Sequence, residues 1–156
     1  MMEHGVLFYR VKEPQKLLNW AIFHGYLLHG STRKIYDELV PYQANDKVKE
    51  SGNRRAVYIT KVPVVAMFCA VTGGVPGLER RHNSHTTILN NKFSYENMYF
   101  GISDPNLVTE KGYIYILGQH QADEEINGEY LAYKPIEPLA IIEIERKDFP
   151  YEMDVF

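Results

Sequence analysis

The chain has 156 residues, of which 45% are hydrophobic and 24% are charged, and its formal net charge at pH 7 is −3. This composition is typical of one globular domain that buries a core, and it excludes fibrous and disordered architectures. Because no block of five like charges occurs, the sequence argues against a broad basic surface that binds nucleic acid. It does not exclude a local basic cleft.

The expected cellular setting follows from cysteine usage and hydropathy. The single cysteine, Cys69, excludes an intramolecular disulfide and indicates a reducing compartment. The N-terminus lacks a basic segment followed by a long apolar core, and no run of about 18 apolar residues occurs. We therefore expect a cytoplasmic protein with no membrane partner, folded as one domain over residues 1–156.

The first half of the chain alternates strand and helix signals. Pro14 suits a first helical turn and Gly25 a helix end, whereas Ser31 or Thr32 could cap a second helix that Pro41 ends. In chain order these signals predict a strand at 5–11, a helix at 13–25, a strand at 26–30, a helix at 32–39, an exposed loop at 43–54, a strand at 56–60 and a helix at 63–74.

The second half consists of β-branched and aromatic runs separated by Gly, Asn, Asp or Pro, which is typical of antiparallel strands. The predicted strands cover 85–91, 97–103, 112–118, 129–134 and 139–145, while 119–128 is predicted as a loop rich in acid and amide groups. Helices mixed with strands early and strands alone late predict an α+β fold.

Few side chains stand out on their own. The histidines His82 and His85 lie in the loop-like "RRHNSH" without a third ligand, so no metal site is predicted. The glycine-rich stretch 73–77 lacks a Walker lysine and is predicted to be a turn, and Cys69 in an apolar helix is predicted to be a buried structural thiol.

Four other residues, in three segments of the chain, carry chemistry only in combination. His29 could simply be a polar group satisfied at a strand end, Tyr58 and Phe68 could be core aromatics, and Glu129 could be solvated at a strand start. Their segments are "LLHGSTRKIYDELVP", "RRAVYITKVPVVAMFCA" and "NGEYLAYKPIEPLAIIEI", which together cover 50 residues.

Taken in order, these segments resemble the ADP-ribosyltransferases of the poly(ADP-ribose) polymerase and diphtheria-toxin type, which carry a His-Tyr-Glu triad. The resemblance places the triad at His29, Tyr58 and Glu129. It implies a fold of split antiparallel sheets with a few flanking helices around a cleft that binds NAD, the substrate, and no metal.

The resemblance also implies roles for the residues that bind NAD. His29 would hydrogen-bond the adenosine ribose, and Gly30 would present its backbone N–H and C=O to the nicotinamide carboxamide, with Ser31 as a further NAD-binding residue of the same motif. Tyr58 and Phe68 would stack on the two faces of the nicotinamide ring.

Glu129 carries the chemistry that the resemblance implies. Its carboxylate would hydrogen-bond the 2′-hydroxyl of the nicotinamide ribose and stabilise the positive charge that grows on the sugar as the glycosidic bond breaks. Two positions depart from the family pattern. Val65 stands where a serine commonly binds the carboxamide, and Asn127, two residues before Glu129, stands where some members have Glu or Gln.

The resulting hypothesis is an NAD-dependent ADP-ribosyltransferase whose acceptor, macromolecule or small molecule, stays open. One alternative is a non-catalytic module of the same fold that binds NAD or ADP-ribose, which the loss of the serine at Val65 favours. Another is an enzyme similar to the RNA 2′-phosphotransferases, which would need a basic pocket with further arginines.

Overall fold

The protein is a mixed α+β structure, as the sequence predicts. The computed structural model describes residues 2–3, 5–43, 54–78, 80–88 and 94–156, and within them two α-helices accompany three β-sheets. The predicted loop at 43–54 and the end of the predicted strand at 85–91 lie largely outside the described residues.

The largest sheet has five strands in the order β1-β2-β11-β8-β3. Its pairs are antiparallel except for β2 and β11, which run parallel. The strands are β1 (Met2–Glu3), β2 (Val6–Arg10), β3 (Tyr26–Ser31), β8 (Lys111–Gly118) and β11 (Ala140–Glu145).

Two smaller sheets complete the β-structure. A four-stranded antiparallel sheet has the order β4-β5-β10-β9, and a three-stranded sheet has the order β12-β7-β6. Their strands are β4 (Tyr42–Gln43), β5 (Arg55–Ile59), β6 (Arg81–Ile88), β7 (Ser94–Ile102), β9 (Glu124–Ile126), β10 (Glu129–Ala132) and β12 (Asp154–Val155).

The helices are α1 (Pro14–Phe23) and α2 (Pro63–Thr72), and each has its proline in the first turn, where a missing N–H costs nothing. Past α1, Gly25 adopts a φ of +87°, a left-handed conformation that suits glycine after a helix. Among the described residues, neither these helices nor any shorter turn has the length and hydropathy needed to span a membrane.

Both faces of the five-stranded sheet are covered by other elements. Alternate residues of its strands point to opposite faces and so pack in two different clusters. On one face, Ile114 and Ile116 of β8 pack in a cluster with both helices. On the other face, Tyr115 and Leu117 pack in a second cluster with Val57 of the four-stranded sheet. The site described below lies where β3, at the edge of the large sheet, meets the four-stranded sheet.

The predicted helix at 32–39 is wrong, because tertiary contacts use the backbone groups that a helix would need. The N–H and the hydroxyl of Thr32 both donate to the carbonyl of Gly73, at 3.1 and 2.7 Å. The N–H of Ile35 donates to the hydroxyl of Tyr115 at 2.7 Å, and that hydroxyl in turn donates to the carbonyl of Arg33. The segment is therefore an irregular connection.

Two predicted loops contain strands. The segment "RRHNSH" enters β6 at Arg81, so it is not a loop. The predicted loop at 119–128 includes a 3-10 turn at Gln119–Gln121 and the strand β9, which forms a hairpin with β10. The hairpin turns at Asn127 and Gly128, with φ values of +51° and +85°, a geometry that the Asn-Gly dipeptide favours.

Candidate functional site

His29 lies near the end of β3, at the edge of the large sheet. Its side chain is 8% exposed, and Nδ1 is 2.6 Å from the carbonyl oxygen of Tyr58 in β5. One residue earlier, Leu28 and Thr60 exchange two backbone hydrogen bonds of 2.9 and 2.8 Å, which join the two sheets at this point. His29 therefore lies at the junction of the sheets.

The environment of His29 fixes both its charge and its tautomer. Burial lowers the pKa of His29 from its ordinary value of 6.5, the Tyr58 carbonyl opposes this, and the positive charge of Arg81 lowers it further. The ring is therefore neutral at pH 7. Because a carbonyl only accepts hydrogen bonds, Nδ1 carries the proton and Nε2 is left as an acceptor.

Gly30 lies at the edge of β3, between two backbone contacts to other parts of the chain. Backbone groups of a strand point alternately to its two edges, so the N–H and C=O of Gly30 point to the same edge as those of Leu28. Leu28 is bonded to Thr60 at that edge, and Thr32 is bonded to Gly73. The polar groups of Gly30 therefore lie between two fixed contacts.

Helix packing alone also requires glycine at this position. A Cβ at Gly30 would lie 2.2 Å from the carbonyl oxygen of Ala66 and 2.8 Å from the backbone nitrogen of Ala70, both in α2. The next residue, Ser31, is half-buried, and its Oγ accepts a hydrogen bond from the N–H of Arg33 at 3.1 Å.

Tyr58 is half-buried and is held at its hydroxyl. That hydroxyl donates to the carbonyl of Arg54 at 2.6 Å and accepts from the N–H of Arg54 at 2.9 Å. Its ring centroid lies 5.6 Å from that of Tyr42, whose β4 position opposite Ala56 places it on the same face of the sheet. Burial raises the pKa of Tyr58, the Arg54 backbone opposes this, and the charge of Glu129 raises it further.

Glu129 is brought to Tyr58 by the pairing of β10 with β5. Leu131 lies opposite Tyr58, and Glu129, two residues earlier in β10, projects from the same face of the four-stranded sheet. Glu129 is half-buried, and its charge acts on the Tyr58 hydroxyl. The Asn-Gly turn immediately before Glu129 fixes the register of the hairpin and so its direction.

Phe68 is not brought to this cleft. Its side chain is 0% exposed, and its ring centroid lies 5.1 Å from that of Phe100 and 6.1 Å from that of Phe149. These contacts are those of a core aromatic, which was the alternative interpretation of the sequence. Phe68 therefore has no face available for a ligand ring.

The neighbouring Cys69 is the part of α2 that is partly accessible. Cys69 is half-buried rather than buried as predicted, and its Sγ accepts a hydrogen bond from Arg81 at 3.4 Å. Helical spacing places Val65 and Thr72, four residues before and three after, on the same side of α2. The helix wall that faces the site therefore contains a valine and a thiol.

Arg81 is a residue of this region that the sequence did not indicate. From the start of β6, its Nη1 donates to Cys69 Sγ and to Thr72 Oγ1, both at 3.4 Å, and its charge acts on Tyr42 and on His29. The residue is exposed, yet desolvation lowers its pKa while Cys69 and Tyr42 raise it above its ordinary value.

The structure thus brings His29, Gly30, Tyr58 and Glu129 together and adds Tyr42 and Arg81. Tyr42 belongs to a two-residue strand and Arg81 to a polar strand start, and neither context has a sequence signal that marks a site. Two surface depressions of about 350 and 320 Å³ lie elsewhere, beside the start of α1 and beside the C-terminal segment. Within the described residues, no three His, Cys, Asp or Glu side chains converge as metal ligands would.

Comparison of the chain with protein-family models, with curated proteins and with solved structures finds no match. Function is therefore inferred from the geometry of this site and from the sequence motifs that build it.

Proposed function

We propose that this protein is an NAD-dependent ADP-ribosyltransferase that cleaves the bond between nicotinamide and ribose and transfers ADP-ribose to an acceptor. The observation that carries the proposal is the convergence of three residues from distant parts of the chain. His29 binds the backbone of Tyr58 at 2.6 Å, and Glu129 shares a sheet face with Tyr58 and acts on it electrostatically.

The arrangement of the sheets supports the split-sheet fold that the family would require. β3 carries His29 at an edge of the five-stranded sheet, while Tyr58 and Glu129 belong to the four-stranded sheet. The sheets join through the Leu28–Thr60 hydrogen bonds, and two residues further along β3 Gly30 directs its N–H and C=O to the same edge. A cleft that begins at such a junction suits an extended dinucleotide.

Each triad residue has a protonation state or a fixed position that suits its proposed role. The Nε2 of neutral His29 accepts a hydrogen bond from a ribose hydroxyl. Tyr58, held at its hydroxyl by Arg54, offers a ring for stacking without a change of rotamer. Glu129 provides the negative charge that stabilises a developing oxocarbenium ion, and it orients or deprotonates the acceptor.

The nicotinamide subsite of the proposed enzyme differs from the expected ring sandwich. Phe68 is in the core, so Tyr58 is the stacking ring, and the α2 wall contains Val65 and Cys69. Val65 offers no hydrogen bond to the carboxamide, which leaves that group to the backbone of Gly30. Loss of one such hydrogen bond costs about 0.5–1.5 kcal/mol, which weakens NAD binding without preventing catalysis.

An NMR titration with NAD, followed by a nicotinamide-release assay on the same sample, tests the proposal. We expect chemical-shift changes at Gly30, Tyr58 and Glu129. We also expect slow release of free nicotinamide even without an added acceptor, because water can accept the ADP-ribose. Binding with no release for any acceptor would identify a binding module of the same architecture. An absence of NAD-dependent shifts at these residues would contradict both.

A further inference from the structure

Among the described residues of the candidate site, Arg81 is a cation that contacts neutral groups. Its guanidinium contacts a thiol and a hydroxyl in α2, and the third neighbour that acts on it is the phenol of Tyr42. Within the described residues, no carboxylate pairs with Arg81, whereas Arg10 and Arg54 form ion pairs of 2.8 and 2.9 Å with glutamates. A guanidinium whose described neighbours are neutral suits an anion that a ligand supplies.

The two hydrogen bonds from Arg81 to α2 are also weak ones. Both contacts are 3.4 Å long, both involve Nη1, and a cysteine sulfur is a poor acceptor. Thr72 already donates its hydroxyl proton to the carbonyl of Phe68 at 2.7 Å, so it is oriented to accept from Arg81. Tyr42 also hydrogen-bonds Arg81, so the described groups that hold the guanidinium in place are all neutral.

A structural role at the end of α2 is the plain alternative. A cation near a helix C-terminus interacts favourably with the helix dipole, and Thr72 is the last residue of α2. That role does not require a neighbourhood containing Tyr42 and His29, the residues on which the charge of Arg81 acts. The two roles predict different effects on ligand binding, which an experiment can separate.

We propose that Arg81 is a phosphate-binding residue that anchors the diphosphate of the dinucleotide substrate. This inference rests on the proposed function, which places one ribose at His29 and the other beside Glu129. The diphosphate joins those two riboses and must lie between their subsites. The planar guanidinium matches a pair of phosphate oxygens, and its charge complements the two negative charges of the diphosphate.

The test is a binding series on wild type, Arg81→Met, Arg81→Lys and the matched control Arg80→Met. Arg80 is the adjacent arginine, but it lies over the ring of Phe156 and donates to the carbonyl of that residue. The probes are NAD and ADP-ribose, which contain a diphosphate, and nicotinamide riboside, which does not. Inorganic pyrophosphate is the competitor, and each titration is repeated at low and high salt.

We expect Arg81→Met to weaken binding of ADP-ribose by about ten- to a hundredfold, the worth of a charged hydrogen-bond pair. Binding of nicotinamide riboside should change by less than about threefold, and Arg81→Lys should fall between wild type and Arg81→Met. Arg80→Met should match wild type. The salt dependence of ADP-ribose binding should be smaller in Arg81→Met, because one phosphate contact is lost.

The outcomes separate the two proposals. Equal affinity of wild type and Arg81→Met for ADP-ribose would overturn the role of Arg81 and leave the proposed function standing. Pyrophosphate binding that depends on Arg81, without any NAD binding, would support the phosphate subsite and overturn the proposed function. If Arg81→Met does not fold, competition between pyrophosphate and ADP-ribose on wild type decides, and an absence of competition would overturn the inference.

Discussion

The imidazole of His29 and the backbone of Tyr58 are joined by a 2.6 Å hydrogen bond between residues that are 29 positions apart in sequence. This bond links β3 of the five-stranded sheet to β5 of the four-stranded sheet, next to the backbone bridge between Leu28 and Thr60. It fixes the proton on Nδ1 and makes His29 part of both the architecture and the proposed ligand site.

Protonation of His29 should destabilise the fold. Burial lowers its folded-state pKa below the unfolded value of 6.5, so the unfolded chain binds the proton more readily. The free energy of unfolding should therefore be fully maintained above pH 6.5 and should fall as pH drops from 6.5 towards the folded-state pKa. Its slope there is at most about 1.4 kcal/mol per pH unit.

Urea unfolding between pH 5 and 7 measures this effect. His29→Gln should show a shallower dependence on pH than wild type, because it lacks the titrating group next to Arg81 and the Tyr115 ring. His24→Gln, at an exposed histidine on the surface beyond α1, should retain the wild-type dependence. Identical slopes for wild type and His29→Gln would mean that His29 does not titrate as its burial requires.

Substitutions of the two aromatic residues should have opposite consequences. Tyr58→Leu removes the proposed stacking ring and should weaken NAD binding by about 1–3 kcal/mol. Phe68→Leu should leave NAD affinity nearly unchanged and lower the free energy of unfolding by about 1–2 kcal/mol, because Phe68 packs against Phe100 and Phe149 in the core.

Calorimetric titration with NAD and denaturant unfolding of both variants check this contrast. Tyr58→Phe is the control for the ring: it keeps stacking and loses only the hydrogen bonds to Arg54, so NAD affinity should survive. A Phe68→Leu variant that is fully stable but binds NAD tenfold more weakly would place that ring in the ligand site instead.

Gly30→Ala should destabilise the fold whether or not NAD binds. The added methyl group would lie 2.2 Å from the carbonyl oxygen of Ala66, a backbone atom that cannot rotate away. We expect a loss of about 1–3 kcal/mol in the free energy of unfolding, which is the usual cost of overpacking. Unfolding measured without ligand is therefore the relevant assay, since loss of activity alone would not identify a carboxamide contact.

A double variant tests whether the backbone causes the overlap. Adding Ala66→Gly removes a side chain and leaves the carbonyl oxygen in place, so it should not rescue Gly30→Ala. Rescue by Ala66→Gly, or full stability of Gly30→Ala, would show that α2 does not approach β3 as closely as the structure has it.

Local sequence signals predicted both α-helices and most of the strands. Pro14 and Pro63 mark the starts of α1 and α2, and the alternating runs of the second half form strands. The helix at 32–39 was wrong because the hydroxyl of Tyr115, about 80 residues away, and the carbonyl of Gly73 take its backbone groups. No local pattern can indicate such partners.

The site was predictable in part for the same reason. The motifs indicated His29, Tyr58 and Glu129, and the structure brings them together. Phe68 was placed by its alignment with a family pattern, but the contacts of α2 point it into the core and leave Cys69 partly accessible. The Asn-Gly dipeptide before Glu129 is a local signal for a hairpin turn, which the predicted loop at 119–128 does not include.

The rate of nicotinamide release by Glu129→Gln, measured beside its affinity for NAD, tests the proposed chemistry most directly. In the proposed mechanism, the carboxylate contributes a single hydrogen bond in the ground state but faces developing positive charge in the transition state. We expect affinity within about tenfold of wild type and turnover lower by about 10²-fold or more. The matched control is Glu125→Gln: Glu125 is exposed and, beside Ile126 in β9, projects from the opposite sheet face. Loss of rate with retained affinity in Glu129→Gln, and in that variant alone, is the predicted result; full turnover in Glu129→Gln would contradict it.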